Sequence, residues 1–167
     1  MTVTYAYGSL ELQQSLIHIS VMIDVRFATG LQVMLRLALA QAEGVEWVSS
    51  AKLASGVGAN PSLVRKLLVP LVRAGLAETA HGRDGGVRLA KPAAKIGLRE
   101  IYLSTNGSKG VWTARADVPH QCLVSSNVEA FFGELAAEAD QAVLATLEGR
   151  TLADSLARLR CLDAAIR

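Results

Sequence analysis

A chain of 167 residues is long enough to bury one real core, and with 51% apolar but only 5% aromatic residues that core is aliphatic and mainly helical. Two cysteines are too few for a secreted disulfide scaffold, and no apolar run reaches the roughly 18–20 residues needed to cross a bilayer. The first residues lack the basic segment and small-residue cleavage site of a signal peptide, so the cytoplasm is the expected compartment. The net charge of +2 announces nothing, but its distribution does. From Lys52 to Lys91 there are seven Lys/Arg against two Asp/Glu, whereas Asp117 to Arg167 holds eight acidic and four basic residues. Such polarity fits a basic reading face and a separate assembly face.

In chain order, residues 1–21 come first as an N-terminal arm or extension. Its Thr/Val/Tyr alternation suggests a strand, and Leu10 to Ile19 has the spacing of a short amphipathic helix. His18 is read as a solvent or packing histidine. Asp24 to Ala42 predicts the first helix of the module, with Phe27, Leu31, Met34, Leu35 and Ala38 on its packed face. Trp47 is expected to anchor the core.

Val48 to Ala90 is the organising stretch. Ser49 or Ser50 caps a short helix that keeps Leu53 and Ala54 inward and ends at Gly56-Val57-Gly58. Asn60-Pro61 restarts a helix, with Asn as cap and Pro at the first position, where no donor is missed. Leu63, Leu67, Leu68 and Leu71 form its apolar stripe, while Ser62, Arg65, Lys66 and Arg73 lie off it. Pro70 inside this helix removes one backbone bond and predicts a bend. Gly75 stops it, Leu76 to Ala80 predicts a strand, Gly82 to Gly86 a loop, and Val87 to Leu89 the returning strand. Helix, tight turn, helix and hairpin is the grammar of a winged helix-turn-helix, whose second helix suits a major groove.

GANPSLVRKLL followed by LVRAGLAETAHGRDGGVRLAKP resembles the Rrf2 family of bacterial winged-helix regulators, the family of IscR, NsrR and CymR. The similarity runs from about Met22 to Leu156, and RDGGVRLAKP in the wing is its most specific part. The resemblance implies a homodimer that binds an inverted repeat in double-stranded DNA and usually represses transcription. It puts Ser62, Leu63, Arg65 and Lys66 where the family's recognition helix meets DNA, and His81 where the wing often carries Arg. Arg26 falls near a position that often touches the backbone, with a plain surface role equally open. Asn60, Lys52 and Arg88, the last two on phosphates, and Arg83 at the minor groove complete the expected DNA-binding set. Val87 replaces the family's usual aromatic, which leaves the operator sequence unpredictable. The resemblance begins at Met22, which is therefore one candidate for the native start; a genuine extra arm is the other.

Residues 22–92 are accordingly read as the DNA-binding domain, 93–124 as a connecting helix and sensor loop, and 125–167 as a dimerisation helix followed by a returning helix. Ile96 to Leu103 predicts a short amphipathic helix, and Ser104 to Pro119 a polar loop of the kind in which sensing is installed. Ser125 or Ser126 is expected to cap the longest helix, Asn127 to Leu147. Its apolar face (Val128, Phe131, Phe132, Leu135, Ala139, Val143, Leu147) exceeds what a small winged helix can cover, so a partner helix is the expected cover. An intrachain core helix is the alternative. Thr151 caps a last helix whose Leu152, Leu156, Leu159 and Leu162 are expected to point inward.

Cluster-binding relatives group three cysteines before the long helix, because bridging irons need several thiolates. Only Cys122 stands there, so the resemblance is to members without an iron–sulfur cluster, and no cofactor or metal is expected. Cys122 has three readings: a buried small hydrophobe, a redox-sensitive thiol, or, with His120, half of a metal site. Cys161 is expected to be structural, with a Cys122–Cys161 disulfide left open.

The fold class expected is mainly α with a small β-wing. The function expected is a DNA-binding transcriptional regulator, a homodimeric repressor answering to thiol oxidation or to an unidentified small-molecule effector. The rival is a winged-helix protein-interaction module that has lost DNA binding, kept open by Pro70, His81 and Val87. An enzyme is excluded by the lack of a phosphate loop, HExxH, a nucleophile elbow or a placed carboxylate pair.

Overall fold

The computed structural model describes residues 25–82, 85–107, 110–112 and 122–166. The readings given for residues 1–21, Met22, Arg83 and His120 lie outside them. Six α-helices and one two-stranded antiparallel sheet make up the described fold: α1 (Arg26–Ala42), α2 (Ser50–Val57), α3 (Pro61–Arg73), β1 (Ala77–Ala80), β2 (Gly86–Leu89), α4 (Leu98–Asn106), α5 (Leu123–Leu147) and α6 (Leu152–Ile166).

Helix α1 is the central post, packed against α2, α3, α4, α6 and β2. Its innermost residues are Val33, Met34, Leu37 and Ala38, whereas Phe27, Leu31 and Leu35 flank the core half-buried. The apolar stripe is thus rotated by part of a turn from the one expected. Gly30 sits where α4 crosses: a Cβ there would lie 2.5 Å from Thr105 Cγ2. Thr105 is buried with its hydroxyl donating to the Ile101 carbonyl at 2.9 Å, so its polarity costs little. Phe27 meets Tyr102 edge to face at 5.2 Å.

The helix-turn-helix follows its local chemistry. Ser49 caps α2 by accepting the Lys52 amide, and Gly58 ends it with φ +61° in the left-handed region. Asn60 caps α3 by accepting the Ser62 amide at 2.8 Å, with Pro61 at the first position. Val64, Leu67, Leu68 and Leu71 form the buried stripe of α3; Leu63, expected there, is only half-buried and Val64 takes its place. The helix continues through Pro70 to Arg73.

The hairpin pairs Ala77 with Leu89 through to Ala80 with Gly86, and Val48 adds a single bridge on the other edge of β2 by exchanging two backbone hydrogen bonds with Val87. Gly86 permits that approach, since a Cβ there would fall 2.7 Å from the Val48 carbonyl oxygen. Trp47 is not a core anchor. It lies half-exposed beside buried Val48, with the Arg88 guanidinium 4.3 Å above its ring.

Helix α4 runs on to Asn106, three residues past the expected end, so the loop begins later than its polarity suggested. At its start the Gly97 amide donates to Glu100 at 2.8 Å, and Lys91 pairs with the other Glu100 oxygen at 3.0 Å. The amide and, more weakly, Lys91 hold the Glu100 carboxyl below its ordinary value of 4.5. A carboxyl made more acidic by folding stabilises the fold above its unfolded pKa and loses that contribution as pH falls. The stability gap between the native protein and Glu100→Gln is therefore expected to be full at neutral pH, about 1 kcal/mol or less for so exposed a group. It should close as the medium is acidified below 4.5, followed as Tm in an acid-to-neutral pH series.

Helix α5 is an excursion between two strips that are stitched together. The Leu98 amide donates to the Arg150 carbonyl at 2.9 Å and the Leu152 amide to the Ile96 carbonyl at 2.8 Å. Ile96, Leu152 and Leu156 are part of the same core cluster as the buried residues of α1 and α3, so α6 begins inside the winged-helix core. Only its first half points inward, however: Leu159 and Leu162 are 46% and 43% exposed.

Candidate nucleic-acid interface

Helix α3 presents Ser62, Arg65 and Lys66 to solvent at and after its start, with Leu63 half-buried beside them. Lys52 is exposed on neighbouring α2. Among the described residues Lys52, Arg65 and Lys66 form no salt bridge, so their charge is available to an anion. The four buried residues of α3 lock its inner face, which turns this basic edge outward as one rigid surface. His81, just after β1, is exposed and has no partner among the described residues. Asn60 is engaged differently from the others, since its side-chain oxygen is used as the helix cap.

Arg88 departs most from expectation. Its Nε donates to Glu78 at 2.5 Å and its Nη1 to Glu46 at 2.9 Å, while its plane stacks on Trp47. Two carboxylates already neutralise this guanidinium, so it ties β2 to β1 and to the strip before α2 instead of offering charge to phosphate. Nothing in the sequence pairs Glu46 with Arg88, because the contact spans 42 residues.

The long helix starts earlier than expected, at Leu123, and its cap is Cys122, not Ser125 or Ser126. The Cys122 Sγ accepts the Ser125 amide at 3.5 Å, and the Cys122 amide donates to Ser125 Oγ at 2.9 Å. Hydrogen bonds from the Ser125 hydroxyl and amide hold the thiol below its ordinary pKa. Cys122 is exposed, which overturns its reading as a buried hydrophobe; Cys161 is exposed too, not packed, and both are free. The two cysteines of the whole chain do not fit the donor set of an iron–sulfur cluster, which takes several thiolates.

No residue of α5 is fully buried, although the helix has 25 residues. The expected interface splits in two. Val128, Phe132, Ala139, Val143 and Leu147 are half-buried: Phe132 lies 6.3 Å from the Trp112 ring, and Leu147 packs on the core. Phe131 and Leu135 face outward, 64% and 41% exposed, and Val124, missed by the sequence reading, joins them at 68%. Asp140 accepts the Val111 amide at 2.7 Å, which pins residues 110–112 to the helix.

Comparison with known proteins agrees with this geometry. Residues 23–158 match the family model Rrf2, described as an iron-dependent transcriptional regulator. The transcriptional regulator IscR of Cereibacter sphaeroides is 43% identical over 65 residues, which cover 39% of this chain and 42% of that protein. The chain matches about two fifths of the length of its curated relatives, from 37% to 44%. A Lactobacillus plantarum structure aligns over 81% of this chain and 90% of its own, with TM-score 0.67 and 24% identity. CymR, the global cysteine regulator of B. subtilis, aligns over 81% and 96%, with TM-score 0.58 and 23% identity. These structures share the fold. With the family model spanning most of its length, the chain belongs to the Rrf2 family of transcriptional regulators, which are not enzymes.

Proposed function

We propose that this protein is a homodimeric repressor that reads an inverted repeat in double-stranded DNA through α3 and the wing, without an iron–sulfur cluster. The observation that carries the reading is a basic edge, Arg65 and Lys66 on a helix locked from behind by four buried side chains with Lys52 on neighbouring α2, that forms no salt bridge among the described residues. A two-fold dimer offers two such helices in opposite sense, and half-sites one helical turn apart answer them. Ser62 and Arg65 would meet base edges, Lys52 and Lys66 phosphates, and His81 the minor groove. A dimer lying across a promoter excludes polymerase. Cys122, exposed and with an acidified thiol, is the chain's candidate for an oxidant input.

The test is a binding titration of the full chain on its own promoter, run with reductant and again with peroxide. Binding only when reduced supports the regulator and makes Cys122 the switch to mutate; binding in both states supports the regulator with a different effector. No binding in either state favours the rival, a protein-interaction module. Within that assay Arg65→Ala should weaken specific binding by on the order of 1–3 kcal/mol and lower the salt slope by about one. Arg88→Ala should leave the salt slope unchanged, because its charge is already spent on Glu46 and Glu78.

A further inference from the structure

A cleft of about 680 Å³ opens between the outer face of α3 and the wing. That volume falls within the roughly 300–1,000 Å³ of small-molecule sites. Its composition is not that of a plain phosphate seat. Arg65, Val69 and Arg73 line it from α3 at four-residue steps, which sets them in one row about 12 Å long. Val72 extends the apolar middle of the row, and Thr79 and His81 close the opposite wall. Val69 is 49% exposed although it lies on a solvent-facing stripe between two arginines. Among the described residues no carboxylate lines the cleft, and Arg65, Arg73 and His81 have no partner there. A phosphodiester strand needs the cations but has no use for an exposed valine floor. A molecule with both an apolar body and a negative group uses both.

We propose that this cleft binds an amphipathic organic anion, its apolar body on Val69 and Val72 and its carboxylate or sulfonate on the flanking guanidiniums of Arg65 and Arg73. Because Arg65 also belongs to the proposed DNA-reading edge, the bound anion and DNA exclude each other. That second half rests on the DNA reading above; the binding itself does not.

Anilinonaphthalene sulfonate is a suitable probe, with neutral phenylnaphthylamine as the same apolar body without the charge. Titrated into the full chain without DNA, the sulfonate dye is expected to light up at one dye per chain and to bind about tenfold or more tighter than the neutral dye. Val69→Asp and, independently, Arg65→Gln with Arg73→Gln should each weaken it by about tenfold or more; all three side chains are exposed, and circular dichroism checks the fold. A duplex of the promoter should displace it. Equal affinity for the two dyes, or unchanged binding in either variant, overturns the site. So does loss of the dye in Phe131→Ser with Leu135→Ser, which would seat it on α5. Dye and duplex bound together would overturn the exclusion alone. A chain that takes the dye but no duplex would refute the DNA reading and leave the site standing.

Discussion

Leu152→Ala is expected to lower the unfolding free energy by about 2–5 kcal/mol, the range for truncating a fully buried leucine whose surroundings relax only in part. Leu152 is 0% exposed and sits where α6 enters the core. Its amide donates to the Ile96 carbonyl, Ile96 is itself 0% exposed, and the first turn of α6 is closed by Thr151 and Asp154. Those backbone bonds hold the Cα in place, so the cavity left by the missing isobutyl group has little freedom to collapse. Leu159→Ala and Leu162→Ala, on the same helix and of the same chemistry, should each cost about 0.5 kcal/mol or less in the monomer, since both side chains are more than two-fifths exposed. Urea unfolding followed by circular dichroism separates the cases: a fall in the midpoint at constant m for Leu152→Ala, and little change for the others. Equal costs for the three leucines would show that α6 packs along its whole length.

That comparison also shows where sequence reading works. The helix-turn-helix is legible because its signals are local: Ser49, Gly58, Asn60-Pro61 and Gly75 each act on a backbone within a few residues. The hairpin registers for the same reason. Periodicity alone cannot tell how far a stripe is covered, since coverage depends on what lies opposite; hence four leucines of α6 look alike and only two are buried. Trp47 misleads similarly. Its size argues for the core, but Val48 fills the rung against Val87 and leaves the indole outside as a plate for Arg88. Arg88 itself falls among the DNA-reading charges in the sequence because a sequence total cannot subtract Glu46, which meets it only in the folded chain. The Cys122 cap was hidden by a rule of thumb: serine is the usual cap, and two serines follow. The structure instead uses the sulfur at the cap and the Ser125 hydroxyl at the third position, a reciprocal pair that moves the helix start forward.

The largest effect is expected from Phe131→Asp together with Leu135→Asp, which should abolish the proposed dimer and with it about 10²–10⁴ of operator affinity, the usual gain from joining two binding modules. Val124, Val128, Phe131 and Leu135 stand at alternating four- and three-residue steps, the spacing of a coiled-coil seam. Phe131 and Val124 are about two-thirds exposed in the single chain, and α5 contributes no fully buried residue. Two carboxylates at the middle of such a seam would have to be desolvated against their own copies, a cost that removes association without touching the core. The winged helix should remain intact, because α3 and the hairpin lie in a core cluster that contains neither residue. Sedimentation would then report a folded monomer whose Tm no longer depends on protein concentration, and binding to a single half-site should persist with roughly half the salt slope of the full operator. A variant that stays dimeric would place the association surface elsewhere on the chain. A monomer that keeps full operator affinity would instead break the link between assembly and reading, and return α3 and the wing to a unit that acts singly.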